Sequence, residues 1–353
     1  MYTNSYISTQ ESAAIKGFLM ILIVIGHSHL LMENSDNSHL LHQRLLYMFH
    51  VYGFFFLPFI YGYKKVNNIP DYFKNVFRKN SAKLLVPFCF FYFLCSLISL
   101  YINKIHCFSP FLFIIGTITG NQYVILKGCG FSYLWFLPSF LYIITIRDFY
   151  YTYGIIRKCF WMIYILTSIT YLFSFWGLED SNYFLSGFGR LILISGNAII
   201  CRFLLERIVE PPKNKKGYFF VITSLFIFLL SLSFYVFNHQ FFEYGNKEFI
   251  IRLLKIIIQV VFFLFVICKP IAGYLNRFEV LGYIGKNSLW IYLVHIIIYN
   301  ILVLLIPKDF YVIGRFEMGI IVLILTLLLS LLSTCIINKV PSVKNLIMPY
   351  SHK

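Results

Sequence analysis

Long apolar blocks alternate with short polar connections along most of the chain. Each block holds roughly 17–25 residues, the length that an α-helix needs to cross a bilayer core of about 30 Å. We therefore predict an all-α, polytopic membrane protein with about ten transmembrane helices. Their predicted bounds are 13–32, 45–63, 84–102, 131–148, 155–176, 184–205, 217–237, 249–268, 282–306 and 316–337.

The segment 107–119 is also apolar, but it is short and contains Pro110 and Gly116. Non-helical backbone at membrane depth is tolerated only where protein or a water-filled cavity surrounds it. A re-entrant or interfacial segment is therefore predicted here rather than another span.

Composition excludes an ordinary soluble protein, because 59% of the residues are hydrophobic and only 12% are charged. Soluble domains are about 45–50% apolar and about 25% charged. No connection is long enough to fold separately, so a single membrane-embedded domain over residues 1–353 is expected. Residues 1–12 lack the basic region and cleavage site of a signal peptide, so the first block is expected to remain as a helix.

The basic residues predict the orientation in the membrane. The connections after the second, fourth, sixth and eighth blocks, with the flanking helix ends and the C-terminal tail, hold twenty Lys and Arg, whereas the other connections hold six. Cytosolic connections carry the excess of Lys and Arg, which places both termini in the cytosol. The same rule explains the net charge of +16 without a nucleic-acid partner.

The eight cysteines show no CxxC or Cys/His spacing, so no metal site is predicted. Cys107 and Cys129 fall in one predicted outer connection and could form a disulfide, which the sequence does not decide.

Ionisable residues inside a bilayer are costly and mark functional sites. Two of those in this chain, Arg252 and Lys255, lie in the first turns of a predicted helix and can extend to the outer interface. The remaining ones are Lys16, His27, His50, Arg190 and His295.

Lys16 and His27 are eleven residues apart in the first predicted helix. That separation is three turns plus about 20°, so both side chains share a face about 16 Å apart along the axis. A single intramembrane His often does no more than hydrogen-bond a neighbouring helix. The predicted topology, however, places His27, His50 and Arg190 at a similar depth, together with Trp135. Imidazole beside fixed positive charge suits a general base or acyl carrier with a cation that holds an oxyanion or a phosphate.

Four segments, 15–27, 47–63, 133–137 and 284–295, resemble motifs of the acyltransferase-3 family. The first has a basic residue eleven positions before a His, the second an FH followed by a closing GY, the third a WFL, and the fourth reads IGKNSLWIYLVH. Within that family the chain is most similar to the fucose 4-O-acetylase-like subgroup. It departs from the family's cytosolic RxxR pattern, which falls on Asn80 and Lys83.

The resemblance implies an O-acyltransferase that moves an acyl group, usually acetyl, from cytosolic acetyl-CoA to a sugar hydroxyl. The acceptor would be a cell-surface polysaccharide or its lipid-linked precursor, at a bacterial cytoplasmic membrane. His27 would be the base or the acyl carrier, Lys16 would align the donor, and His50 and Arg190 would support the site. Coenzyme A phosphates would bind Lys16, Arg78, Lys79 and Lys83, and further candidates are Trp135, Ser288, Tyr292 and His295.

A transporter or flippase of lipid-linked saccharides is the main alternative. Ion-coupled transporters commonly use intramembrane carboxylates, and no Asp or Glu lies in the middle of a predicted span. Inverted repeats are not apparent either. A structural scaffold would leave the intramembrane residues Lys16, His27, His50 and Arg190 without a role.

Overall fold

A computed structural model describes residues 6–27, 51–60, 63, 66–173, 183–205, 223, 227, 247–305 and 315–349. All regular structure among these residues is helical, which confirms the all-α prediction. In chain order the helices are α1 (Thr9–Gly26), α2 (Val51–Ile60), α3 (Ile69–Tyr101), α4 (Pro110–Thr119), α5 (Gln122–Cys129), α6 (Phe136–Thr152), α7 (Gly154–Leu172), α8 (Tyr183–Leu204), α9 (Lys247–Ile267), α10 (Lys269–Leu275), α11 (Glu279–Lys286), α12 (Ser288–Leu305), α13 (Arg315–Lys339) and α14 (Pro341–Ile347).

Six of the described helices are long and apolar enough to cross a membrane: α1, α3, α7, α8, α12 and α13. The chain is therefore a multi-pass membrane protein. The count of ten spans and the cytosolic termini remain predictions. The predicted helix 217–237 lies outside the described residues, apart from positions 223 and 227.

The third predicted helix was placed at 84–102, but α3 begins fifteen residues earlier, at Ile69. Pro70 occupies the first turn of the helix, where its missing N–H is not needed. The early part is amphipathic rather than continuously apolar: Tyr72 is buried, whereas Lys74 is exposed. A search for uninterrupted apolar blocks cannot detect such a segment. The assignment of its basic residues to a connection was therefore wrong for Lys74, Arg78, Lys79 and Lys83. With 33 residues, α3 is about 50 Å long and exceeds a bilayer core of about 30 Å.

The ninth predicted helix, 282–306, is also wrong as a single element. The structure divides it at Asn287 into α11 and α12. The Asn287 side chain donates a hydrogen bond (2.9 Å) to the Tyr283 carbonyl oxygen, and its backbone leaves the helical region with φ −105° and ψ 10°. Asn often closes a helix in this manner, since its side chain competes for backbone partners.

The segment 107–119 forms α4, a helix of ten residues that is followed by α5. At about 15 Å, α4 is too short to cross the bilayer core. Gly120 ends α4 with φ 59°, a left-handed conformation that favours glycine, and the chain turns there into α5. The prediction of a short, non-spanning segment agrees with this geometry.

The chain divides into two compact units. The first unit comprises Met1–Asn4, Tyr61–Ile199 and Val340–Lys353, and the second comprises Ser5–Ile60 and Ile200–Lys339. The single membrane-embedded domain over residues 1–353 remains a prediction.

A buried ion pair anchors the start of α3 inside the first unit. Arg147 donates two hydrogen bonds to one carboxylate oxygen of Asp148, at 2.9 and 2.6 Å. The Tyr72 hydroxyl donates to the other carboxylate oxygen, at 3.0 Å. Asp148 is fully buried, so removing either partner would leave a costly uncompensated charge or acceptor.

A backbone contact between α1 and α11 organises the second unit. A Cβ atom on Gly17 would overlap the carbonyl oxygen of Leu281, and a Cβ atom on Gly285 would overlap the carbonyl oxygen of Ala13. The two helices therefore approach with backbone against backbone, which only glycine permits. The N-terminus of α1 is closed by a capping box, in which the Ser8 hydroxyl accepts from the Glu11 N–H and the Glu11 carboxylate accepts from the Ser8 N–H.

Replacing Gly285 by Ala should separate α1 from α11, because the added methyl group has no space. We expect destabilisation of about 1–3 kcal/mol, typical of overpacking, measured as a lower thermal unfolding midpoint of the purified protein in detergent.

Gly282 is the matched control on the same helix, since a Cβ atom there would meet nothing within 4 Å. Gly282→Ala should keep or slightly raise the midpoint, because alanine favours helix over glycine by about 0.5–1 kcal/mol. Equal midpoints for the two alanine variants would contradict the close approach of the backbones.

Candidate active site

His27 lies at the C-terminal end of α1. Its backbone N–H still donates to the Ile23 carbonyl oxygen (3.1 Å), so its side chain continues the helical series. The imidazole is half-buried. Its ring centroid lies 5.4 Å from that of His295, with the two ring planes tilted by 48°. The structure therefore brings together two of the predicted candidates within the second unit.

The proton on His295 can be assigned from its partners. His295 is fully buried in α12. Its Nδ1 lies 3.1 Å from the Ile291 carbonyl oxygen and 2.8 Å from the Tyr292 carbonyl oxygen. Carbonyl oxygens only accept hydrogen bonds, so Nδ1 carries the proton and donates. In the neutral ring, Nε2 then carries the lone pair.

Three predicted candidates share one face of α12. Tyr292 and His295 follow Ser288 by four and seven residues, which places the three within about 60° of each other around the helix. Tyr292 is buried, and its ring centroid lies 5.8 Å from that of His295. Ser288 is the half-buried first residue of α12. The Tyr292 ring therefore lies beside His295 on this face.

Lys16 lies in α1 between two tightly packed residues, Ile15 and Gly17, and is itself half-buried. Because α1 is continuous up to His27, the shared face predicted from the spacing follows from regular helix geometry. The two Cα atoms therefore lie along one side of α1, about 16 Å apart along the axis.

Arg190 occupies a buried site in the first unit. Its guanidinium carbon lies 4.6 Å from the centroid of the Trp135 ring, a cation–π geometry. Its Nη1 lies 3.5 Å from Oε1 of Gln122. Arg190 is only 3% exposed. The ring lowers the cost of burying the cation while leaving it a fixed positive charge.

Polar residues near Arg190 were not predicted from the sequence. Asn121 caps α5 by accepting hydrogen bonds from the Tyr123 and Val124 N–H groups, and its amide donates to Ser186. Further along α8, Asn197 accepts from the Tyr164 hydroxyl at 2.8 Å. Asn directly before an apolar helix is a capping signal. That pattern could have indicated the helix start, but not the contact with α8.

Three of the basic residues assigned to the coenzyme A phosphates lie in the first half of α3. Arg78, Lys79 and Lys83 are all exposed. Lys79 and Lys83 are four residues apart, so they lie within about 40° of each other on the helix surface. Adjacent ammonium groups on one face can contact successive phosphate oxygens.

His50 lies outside the described residues, and the common depth of His27, His50 and Arg190 remains a prediction. Arg190 and Trp135 belong to the first unit, whereas Lys16, His27 and His295 belong to the second. The suggested pair Cys107 and Cys129 is not a disulfide: both are free thiols, the first exposed and the second buried.

Comparison with known protein families gives one match. The family described as an acyltransferase domain, acyltransferase-3, matches residues 12–337. No curated protein and no solved structure matches the chain. The match covers α1 and α12, which carry the histidine pair, and α3, which carries the basic residues. The chain therefore belongs to the acyltransferase-3 family and is a membrane acyltransferase.

Proposed function

We propose that the protein transfers an acetyl group from cytosolic acetyl-CoA to a hydroxyl group of a cell-surface polysaccharide or its lipid-linked precursor. The membrane would be a bacterial cytoplasmic membrane. The observation that carries the proposal is the position of His27 at the end of α1, against a buried His295 whose proton is fixed on Nδ1.

Acetyl transfer to an alcohol needs one proton acceptor and one stabiliser of negative charge. A neutral imidazole of His27 accepts the proton of the sugar hydroxyl as its oxygen attacks the thioester carbonyl carbon. The C–O bond forms, the C–S bond breaks, and the imidazolium returns the proton to the departing coenzyme A thiolate. Fixed cationic side chains would stabilise the oxyanion that forms after the attack and before the C–S bond breaks.

His295 suits a position beside the base His27, because the backbone of α12 sets the tautomer of His295. A neutral His295 presents no positive charge to His27 and therefore does not oppose its protonation. This arrangement favours proton transfer by His27.

The exposed basic residues of α3 support a donor site at the cytosolic face. Because α3 exceeds the bilayer core by about 20 Å, its basic N-terminal part projects beyond the membrane in the predicted topology. Coenzyme A carries phosphate groups at one end and the thioester on a long flexible arm. Arg78, Lys79 and Lys83 would hold the phosphates, and Lys16 would guide the arm along α1 toward His27.

His27→Ala should reduce acylation of the surface glycan by about 10²–10⁴-fold, the contribution of a general base. The measurement is mass spectrometry of glycans from cells that contain matched amounts of wild-type or variant protein in the membrane. Lys158→Ala is the control, because Lys158 is an exposed residue on α7 that belongs to neither the histidine pair nor the basic residues of α3. Near-normal acylation by the His27 variant would refute the proposed mechanism.

Replacing Lys79 and Lys83 together by Ala should weaken acetyl-CoA binding. Two charge-assisted contacts of about 1.5–3 kcal/mol each would be lost, discounted for their exposure to solvent. We expect at least a tenfold rise in Kd, or about 1.4 kcal/mol, in titrations of the purified protein with acetyl-CoA.

Lys158→Ala serves as the matched control for this pair, since Lys158 is an exposed lysine on α7, also near the cytosolic face in the predicted topology. It should leave the Kd for acetyl-CoA unchanged. A double variant that inserts correctly and binds acetyl-CoA as tightly as the control would restrict Lys79 and Lys83 to a topological role.

A further inference from the structure

The first unit contains an open cavity that none of the residues discussed for acyl transfer lines. Its volume is about 650 Å³. It lies where the turn after α3 meets the start of α4 and the end of α5. Its polar lining consists of Lys104, His106, Cys107, Ser109 and Lys127.

The buried residue Ser99 connects two of the segments that line the cavity. The Ser99 hydroxyl donates to the Cys129 carbonyl oxygen at 2.7 Å. The Ser99 carbonyl oxygen accepts from the N–H groups of Lys104 (2.8 Å) and Ile105 (3.3 Å). One residue therefore ties the end of α5 to the turn that carries the first cavity lysine. The lining is consequently a preformed surface, which lowers the entropic cost of binding a ligand.

Two lysines converge on this cavity, and aromatic rings position both. The Lys104 ammonium lies 4.8 Å from the centroid of the Phe131 ring, and the Lys127 ammonium lies 4.5 Å from that of Tyr123. The predicted outer connections hold only six Lys and Arg in total. Two of these six line one cavity, on the side of the membrane where the positive-inside rule makes basic residues scarce.

The ends of α4 and α5 add smaller partial charges, one positive and one negative, to the cavity. The cavity meets the N-terminus of α4, where Ser109 caps the Leu112 N–H at 3.3 Å and the remaining amide groups carry partial positive charge. The last turn of α5 brings partial negative charge, but Gly130 donates to the Leu126 carbonyl oxygen at 2.8 Å. Lys127 lies in that same turn, and its positive charge offsets the remaining partial negative charge. The two lysines are therefore the largest charges on the cavity lining.

We propose that this cavity binds an anionic group, a phosphate or a carboxylate, of the glycan acceptor. The inference rests on the proposed function and on the predicted topology, which places the cavity outside the cytosol. The lysines would pair with the anion, and the His106 ring would hydrogen-bond sugar hydroxyls. Leu112 and Leu126 offer an apolar wall for the C–H face of a sugar ring.

Cys107 provides a direct probe, because it is an exposed free thiol in the cavity lining. The other exposed thiols are Cys89, Cys159 and Cys335, which would be changed to Ser. Burial raises the pKa of the Cys129 thiol above its ordinary value, so that nearby group should not compete for a maleimide. The rate of maleimide labelling then reports access to the cavity in the full-length protein.

Glucose 1-phosphate should slow labelling of Cys107, whereas glucose at the same concentration should not. Changing Lys104 and Lys127 together to Gln should raise the concentration needed for protection by about tenfold or more, the loss expected for at least one charge-assisted contact. Lys158→Gln, which alters an exposed lysine on α7, should leave protection unchanged.

Equal protection by glucose and glucose 1-phosphate would overturn the proposal, as would protection that survives the double lysine change. Labelling that is slowed by phosphatidylglycerol nanodiscs relative to phosphatidylcholine nanodiscs, without any sugar phosphate, would assign the cavity to lipid headgroups instead. The assay does not depend on acyl transfer. A failed His27 prediction with intact protection would therefore reject the mechanism alone, and lost protection with an active enzyme would reject the cavity assignment alone.

Discussion

The backbone contact between α1 and α11 is the constraint on which the candidate catalytic centre depends. Gly17 and Gly285 allow two helices to touch at their main chains, a separation that any side chain would prevent. Helix α11 continues through Asn287 into α12, so the position of α1 against α11 also determines its position against α12. The meeting of His27 and His295 follows from that geometry.

Much of the fold could be predicted because a bilayer imposes a length on apolar blocks. Helices α7, α8, α9 and α13 begin and end within a few residues of the predicted bounds. The failures occur where that rule does not apply. The early part of α3 is amphipathic, so its basic residues hid a helix. The break at Asn287 lies inside an apolar run, where a local hydrogen bond (2.9 Å) overrides the hydrophobic pattern.

Features of the candidate site could be predicted where they depend on residues close in sequence, and could not where they depend on contacts between distant residues. The shared face of Lys16 and His27 follows from helix periodicity alone, and so could be predicted. The cation–π contact between Arg190 and Trp135 joins residues far apart in sequence, and only a similar predicted depth suggested it. The tautomer of His295 is set by carbonyl groups of its own helix, but its contact with His27 depends on packing. The hydrogen bond from Tyr72 to Asp148 likewise joins distant parts of the chain.

The arrangement gives each half of the proposed reaction its own electrostatic surface. Exposed cations on α3 face the predicted cytosolic side, where a phosphate-bearing donor would arrive, and the lysines of the cavity face the predicted opposite side. The histidine pair belongs to the other unit, and there the proton of His295 is fixed on Nδ1. Charge would therefore recruit both substrates, while proton transfer would occur at the histidine pair.

Chemical cross-linking tests the central geometry most directly. A variant with His27→Cys and His295→Cys, in a background without the eight native cysteines, would be treated with a thiol-specific reagent whose span is close to the 5.4 Å between the two rings. Mass spectrometry of the digested protein would quantify the linked peptides. The account predicts efficient linkage while Gly285 is present and strongly reduced linkage after Gly285→Leu, which displaces α11 from α1. Absent linkage with Gly285 intact, or equal linkage in both proteins, would contradict it.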